Sequence, residues 1–266
     1  MATHGPRSRR ARSAGVATLL AVAAGTGLFA WSAHAAPLST AASASASVID
    51  GRMTYTAAKG QTNKVKVHRQ SADDSTWTYA IDDVVEITAG TDCTHPAADD
   101  LTYVYCTVPV SDPDHPRDQA NMKLGDGNDS AKISSGDVNV DGGVGNDTIT
   151  GASIVVGGGG DDTISDALSA NGNAGDDTIS DSGLSSGGDG NDVITGDHLA
   201  NEIRGGRGND LLDGAGNGDS IDGEEGDDTI KGGPGDDYLF GGPGQDDIDG
   251  GSGTNVIEQD GSLPEG

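Results

Sequence analysis

A nine-residue phrase recurs between Leu124 and Glu258 and constrains the fold more than any other feature of the chain. It has the form Gly-Gly-x-Gly-x-Asp-x-aliphatic-x. Clear copies start at Gly142, Gly157, Gly187, Gly205, Gly232 and Gly241, and looser copies start at Leu124, Gly172, Gly214, Gly223 and Gly250. A period this short and regular indicates a solenoid, in which each repeat packs only against its neighbours.

Each repeat combines a turn with a very short strand. Glycine reaches positive φ without steric cost, so Gly-Gly-x-Gly favours a tight turn. In the last three residues, alternation predicts that the aliphatic side chain points inward. The expected inward residues are Ile149, Ile164, Ile179, Ile194, Leu212, Ile221, Ile230, Leu239, Ile248 and Ile257. This core is thin, because each nine-residue repeat buries one aliphatic side chain. Burial of that side chain contributes about 2–3 kcal/mol, which does not offset a backbone entropy cost of roughly 1–2 kcal/mol for every residue of the repeat.

The aspartate at position six of the repeat provides a further interaction. Two repeats complete one coil, so aspartates about 18 residues apart are expected to stack on one edge. Stacked carboxylates repel one another unless a hard cation lies between them. Ca²⁺ binds carboxylate and backbone carbonyl oxygens, and stacked glycine-rich turns offer both. The pattern therefore predicts calcium ions between successive turns.

The array resembles the repeats-in-toxin, or haemolysin-type, calcium-binding repeats from Leu124 to Glu258. The resemblance implies an all-β chain with a parallel β-roll that holds several Ca²⁺ ions through position-six aspartates and turn carbonyls. Carried onto this chain, the implied metal ligands are Asp129, Asp147, Asp162, Asp177, Asp192, Asp210, Asp219, Asp228, Asp237 and Asp246.

The spacing of the repeats predicts that the two edges differ. Repeats are contiguous from Gly205 onward, whereas the starts from Gly142 to Gly187 are 15 residues apart, and the segments between them lack the acidic turn. We predict one nearly continuous row of about seven ions. That row runs through Asp129, Asp147, Asp162, Asp177, Asp192, Asp210, Asp228 and Asp246. The opposite edge is expected to be poor, with Asp219 and Asp237 beside Asn201 and Asn255.

The first 35 residues differ from the rest in charge. Four arginines, an apolar run and Ala33-His34-Ala35 predict a signal peptide (1–35) that is cleaved after Ala35, by either the general or the twin-arginine route. The whole chain has 43 acidic and 15 basic residues and a net charge of −28. Such a charge disfavours nucleic acid and anionic membranes as partners and attracts cations. We therefore expect a secreted, extracellular protein without a membrane span after leader removal.

Residues 36–122 have a different composition from the repeats. Residues 36–47 are rich in Ser and Ala and predict a linker. Residues 48–122 hold alternating apolar runs and predict a small all-β module that caps the β-roll of residues 123–258; residues 259–266 form a tail. The two cysteines, Cys93 and Cys106, are expected to form a disulfide in an exported protein.

Other motifs carry less weight. Gly183-Leu-Ser185-Ser-Gly187 matches a nucleophile elbow but lies inside the repeats, and no catalytic triad or zinc motif accompanies it, so we expect no enzyme. Acidic pairs such as Asp82-Asp83 are expected in solvated loops.

The expected function is a secreted calcium-binding protein that folds on binding. The alternative is an adhesion or matrix protein whose module binds a cell-wall or protein partner through exposed aromatics including Trp77 and Tyr103, with the β-roll as a calcium-stabilised stalk.

Overall fold

The computed structural model describes residues 42–73, 76–110, 120–135 and 137–259. Within these ranges the chain forms 24 β-strands and no helix, which confirms the all-β prediction. Consequently, the described part also contains no apolar helix long enough to cross a membrane. The predicted signal peptide, residues 36–41 of the predicted linker and residues 260–266 of the tail lie outside the described ranges.

The repeats form a parallel solenoid in which each coil adds one strand to each of two sheets. In the solenoid part, the first sheet contains β8 (Ala120–Asp126), β10 (Val138–Val144), β12 (Ile154–Gly159), β14 (Ser169–Ala174), β16 (Leu184–Asp189), β18 (Glu202–Arg207), β20 (Ser220–Glu225), β22 (Tyr238–Phe240) and β24 (Val256–Glu258). The second sheet contains β9 (Ser130–Ser135), β11 (Thr148–Thr150), β13 (Thr163–Ser165), β15 (Thr178–Ser180), β17 (Val193–Thr195), β19 (Leu211–Asp213), β21 (Thr229–Lys231) and β23 (Asp247–Asp249).

The amino-terminal module continues both sheets. Its strands are β1 (Ala44–Ile49), β2 (Arg52–Thr56), β3 (Lys64–Asp73), β4 (Thr76–Asp82), β5 (Ile87–Ala89), β6 (Cys93–Thr94) and β7 (Tyr103–Pro109). Strand β2 pairs in parallel with β8, and β3 pairs in parallel with β9. The module therefore stacks directly on the first coil of the β-roll.

The far side of the module is antiparallel and carries the disulfide. Strands β3, β4, β7 and β6 pair antiparallel in that order. Cys93 of β6 lies opposite Cys106 of β7, and the two are joined by a disulfide, as predicted. In both sheets the first strand of the module runs parallel to the solenoid strands, and the next one, β1 or β4, is antiparallel to it.

In the three-residue strands of the second sheet one side chain per strand enters the core, in register from coil to coil. In the second sheet Ile149, Ile164, Ile179 and Ile194 stack directly on one another and are fully buried. Ile248 is only partly buried, and Ile257 is 45% exposed although it stands in register with the buried Leu239 in the inward column. Ile257 lies in β24, the edge strand of the first sheet, and no described strand covers it.

The coils that start 15 residues apart close their shorter side with a tight corner. Gly151, Asp166 and Asp181 occupy the same position in three successive coils and have φ of 79°, 56° and 52°. Each is followed by a small buried residue, namely Ala152, Ala167 or Ser182. A single left-handed residue therefore replaces the acidic turn on that side of the solenoid.

Two boundaries differ from the sequence prediction. Ala44–Ser47, which the composition assigns to the linker, belong to β1. Ala44 and Ala46 are buried and alternate with exposed or half-buried residues, so small side chains here fill the module's core. The solenoid also begins slightly earlier than residue 123, because β8 starts at Ala120.

Candidate metal centre

The position-six aspartates stand in two rows, one along each edge of the solenoid. We call the longer one the inner row; it contains Asp129, Asp147, Asp162, Asp177, Asp192, Asp210, Asp228 and Asp246. The second row contains Asn201, Asp219, Asp237 and Asn255. The structure thus brings together all ten residues that the sequence singled out, on the edges that the spacing predicts.

Hydrogen bonds join each member of the inner row to the next coil. The backbone N–H of Asp177 donates to Oδ1 of Asp192 at 2.7 Å, and that of Asp192 donates to Oδ1 of Asp210 at 2.8 Å. The same bond recurs along the inner row at 2.7–3.1 Å. One oxygen of each carboxylate from Asp147 onward is therefore used to fix the register of the coils.

The other oxygen, Oδ2, has no protein partner. In all ten aspartates this atom is shielded from solvent and accepts no hydrogen bond. In the nine aspartates from Asp147 onward it lies beside the first glycine of its own repeat and close to the backbone carbonyl of the next coil. At Gly187 an added Cβ would overlap Asp192 Oδ2 and would lie 2.6 Å from the carbonyl oxygen of Gly205. Oxygen atoms from two coils therefore converge where the chain has no side chain.

Burial makes these carboxylates costly in their charged form. It raises the pKa of Asp147, Asp177 and Asp210 to about 7 and that of Asp228 to about 6. Neighbouring carboxylates raise these pKa values further, whereas the N–H bond to each carboxylate lowers them. Burial likewise raises the pKa of Asp129, Asp162, Asp192 and Asp219.

No basic side chain neutralises the inner row within the described ranges. The ion pairs found there involve other carboxylates, such as Asp213 with Lys231 and Asp189 with Arg207. Three or more His, Cys, Asp or Glu side chains do not cluster around one point in the described part of the chain. A cation held here would therefore bind one or two carboxylates together with backbone carbonyls. That oxygen-only donor set suits Ca²⁺.

The fold and these oxygen-lined edges define a parallel β-solenoid of the calcium-binding β-roll class. The family model of the RTX calcium-binding nonapeptide repeat matches the chain in four copies, at residues 150–166, 186–198, 199–230 and 222–257. The chain thus contains RTX-type calcium-binding nonapeptide repeats, and the resemblance seen in its sequence is confirmed. No curated protein matches it. The coils at Leu124 and Gly142 lie largely outside the matched segments but continue the same hydrogen-bonded row.

The structure corrects the expectation for Asp82-Asp83. Asp83 is buried, and its carboxylate accepts hydrogen bonds from the Tyr55 hydroxyl (2.5 Å), Asn63 Nδ2 (2.7 Å), and the backbone N–H groups of Lys64 (2.8 Å) and Val84 (2.6 Å). Asn63 stands directly before Asp129 in the inner row, because its N–H donates to Asp129 Oδ1. Asp83 therefore anchors the end of that row.

Other sequence candidates occupy ordinary structural positions. Ser185 lies in β16 with its hydroxyl directed to the carbonyl oxygen of Ser182 at 3.3 Å. Trp77 packs partly against the core beneath the guanidinium of Arg69, 4.3 Å from its ring centroid. Trp77 therefore does not supply the exposed aromatic surface that the adhesion alternative requires.

A second ladder of polar side chains, at position five of the repeats, was not predicted from the sequence. The Oδ1 atoms of Asn146, Asp161 and Asp176 each accept the N–H of the equivalent residue in the next coil, at 2.8–3.1 Å. This outer row consists of Asn128, Asn146, Asp161, Asp176, Asn191, Asn209, Asp227 and Gln245. The repeated Asn or Asp at position five was a visible signal for it.

Proposed function

We propose that this is a secreted calcium-binding protein whose β-roll folds when Ca²⁺ enters the intervals between successive aspartates of the inner row. One observation carries the proposal. From Asp147 onward, every coil buries a carboxylate oxygen that has no donor, next to a carbonyl oxygen of the following coil. A buried unpaired charge is strongly unfavourable, and a divalent cation removes that penalty while joining the two coils.

Coupled folding follows from the balance of forces in the solenoid. The core contributes few side chains per coil, and the metal-free carboxylates repel along the row. Binding to the folded state alone stabilises it in proportion to the logarithm of the free calcium concentration. Extracellular calcium modules have dissociation constants of roughly 10⁻⁴–10⁻³ M. The chain is therefore expected to remain expanded where calcium is scarce and to fold outside the cell.

Secretion is supported by the leader-like sequence and by the disulfide between Cys93 and Cys106, which suits an oxidising compartment. Mass spectrometry of protein recovered from the medium tests this part directly. A mature amino terminus at Ala36 is expected. Retention of the whole chain inside the producing cell would contradict it.

The calcium proposal is tested on the chain from Ala36 by circular dichroism and titration calorimetry, with EGTA-treated protein titrated with CaCl₂. We expect β-structure to appear cooperatively and to disappear on chelation. Asp177→Asn should bind fewer ions, because its Oδ2 is replaced by an amide while Oδ1 can still accept the Asp162 N–H. Asp176→Asn is the matched control, because Asp176 is exposed in the outer row and its Oδ1 accepts the Asn191 N–H.

Two results would count against the proposal. One is a metal-free chain that is as folded and as heat-resistant as the calcium-treated chain. The other is an equal loss of bound calcium in Asp176→Asn and Asp177→Asn, which would show that overall charge rather than the inner row holds the ions.

A further inference from the structure

Asn201 opens the second row and differs from every aspartate in both rows. Its backbone N–H donates to Asp219 Oδ1 at 2.8 Å, so it occupies the position-six place of its coil. Its side-chain Nδ2, however, lies close to four oxygens. These are the carbonyl oxygens of Leu199 (2.8 Å), Gly214 (3.0 Å) and Asp197 (3.1 Å), and Oδ1 of Asp219 (3.1 Å).

The amide nitrogen sits where the other repeats place their unpaired carboxylate oxygen. An added Cβ on Gly196 would meet Asn201 Nδ2 at 2.6 Å and the Gly214 carbonyl oxygen at 3.0 Å. One coil later, an added Cβ on Gly214 would overlap Asp219 Oδ2 and meet the Gly232 carbonyl oxygen at 2.9 Å. The first interval of the second row therefore has the same frame as a calcium interval, with a nitrogen in place of an oxygen.

This substitution changes the electrostatics of the interval. A carboxylate oxygen among carbonyl oxygens requires a cation, whereas an amide N–H₂ presents hydrogen atoms to the same oxygens. The amide bonds within its own coil and reaches the next coil through Gly214 and Asp219. The carboxylate of Asp219 is then hydrogen-bonded without metal at its Oδ1 atom.

We propose that the Asn201 amide takes the place of a calcium ion and joins two coils of the second row without metal. This proposal rests on the proposed calcium function and specifies which interval of the second row lacks an ion. The interval between Asn201 and Asp219 binds no Ca²⁺, and the first ion of the second row lies between Asp219 and Asp237. A carboxylate at this position would put an oxygen where the amide nitrogen now stands. The interval would then have the oxygen ligands of the other intervals and would become a calcium site.

The head of the inner row shows a related arrangement. Asn63 precedes Asp129 there, and its Nδ2 donates to the Tyr55 hydroxyl and to Asp83 Oδ2, both at 2.7 Å. Both rows therefore begin with a neutral amide that is hydrogen-bonded by the protein itself. The two cases differ in detail, because the Asn201 amide contacts mainly backbone carbonyls.

The test is a count of bound calcium ions in Asn201→Asp by titration calorimetry, with metal analysis of the dialysed protein. One additional ion per chain is expected relative to the unsubstituted protein. Asn191→Asp is the matched control, because it makes the same chemical change in the exposed outer row and should leave the count unchanged. An unchanged count in Asn201→Asp, or the same gain in both variants, would overturn the inference.

Asn201→Ala provides a second measurement that does not depend on the new carboxylate. In calcium-saturated protein it should keep the ion count. It should speed hydrogen exchange about tenfold or more at Asp197, because the Asp197 N–H loses its acceptor, Asn201 Oδ1. Loss of an ion in this variant would refute the proposal, because it would show that Asn201 holds metal. If the unsubstituted protein binds no calcium at all, the proposed function itself fails.

Discussion

Replacing Gly187 by alanine tests the proposed position of the cation most directly. The backbone of Gly187 lies outside the left-handed region, so alanine introduces no φ strain there. The added Cβ would overlap Asp192 Oδ2 and would lie 2.6 Å from the Gly205 carbonyl oxygen, closer than ordinary van der Waals contact. The methyl group would therefore displace the two oxygens that are proposed to bind one ion.

The expected cost has two parts. Overpacking a well-packed site typically costs about 1–3 kcal/mol. Losing one ion at a free calcium concentration about ten times its dissociation constant removes about 1.4 kcal/mol of linkage stabilisation. Together these predict a destabilisation of about 2.4–4.4 kcal/mol in saturating calcium. One bound ion per chain should also be lost.

Gly159→Ala is the control for this experiment. Gly159 also lies outside the left-handed region, and an added Cβ there would have no atom within 4 Å. Urea unfolding in saturating calcium and titration calorimetry should therefore show little change for Gly159→Ala. The reasoning would be refuted if Gly187→Ala bound as many ions as the unsubstituted protein, with the same affinity.

Three further perturbations have defined outcomes. Ile179→Ala should lower the free energy of unfolding in calcium by about 2–5 kcal/mol, because Ile179 is fully buried in the stack. The measurement is urea unfolding, and a decrease below about 1 kcal/mol would contradict this prediction. In the calcium-free fold the pKa of Asp147 and Asp177 is raised to about 7. Their contribution to stability is therefore fully present below about pH 4 and is lost as pH rises through about 7. Circular dichroism in EGTA should show more β-structure at acidic pH, and the opposite trend would exclude this cause. Replacing Cys93 and Cys106 by serine should cost about 3 kcal/mol in thermal unfolding, and intact protein should gain two hydrogen masses on reduction.

The sequence was sufficient to predict the solenoid and both rows, because these features repeat locally. The period fixes which residues stack, and the 15-residue spacing of the starts from Gly142 to Gly187 predicts which edge loses its acidic turns. The registers of Ile149 with Ile164 and of Ile164 with Ile179 follow directly from that spacing. No long-range information was needed for this part of the molecule.

Features that depend on non-local contacts could not be predicted in the same way. Asp83 resembles a surface acidic residue until the fold brings Tyr55 and Asn63 beside it. The parallel pairing of β2 with β8 and of β3 with β9 joins segments that are about 66 residues apart, and no repeat marks it. The role of the Asn201 amide likewise becomes visible only when the carbonyl oxygen of Gly214 is placed next to it.

The hydrogen bonds of the inner row all point the same way along the chain. Each aspartate N–H reaches forward to the carboxylate of the coil that follows, from Asp129 to Asp246, while the module closes the start of the row. The inner row therefore has a direction, because the carboxylate of each coil accepts the N–H of the coil before it. Deleting coils from the carboxyl end leaves the N–H of the last remaining aspartate without its carboxylate acceptor, whereas deleting the module removes the Asn63 N–H that donates to Asp129 Oδ1.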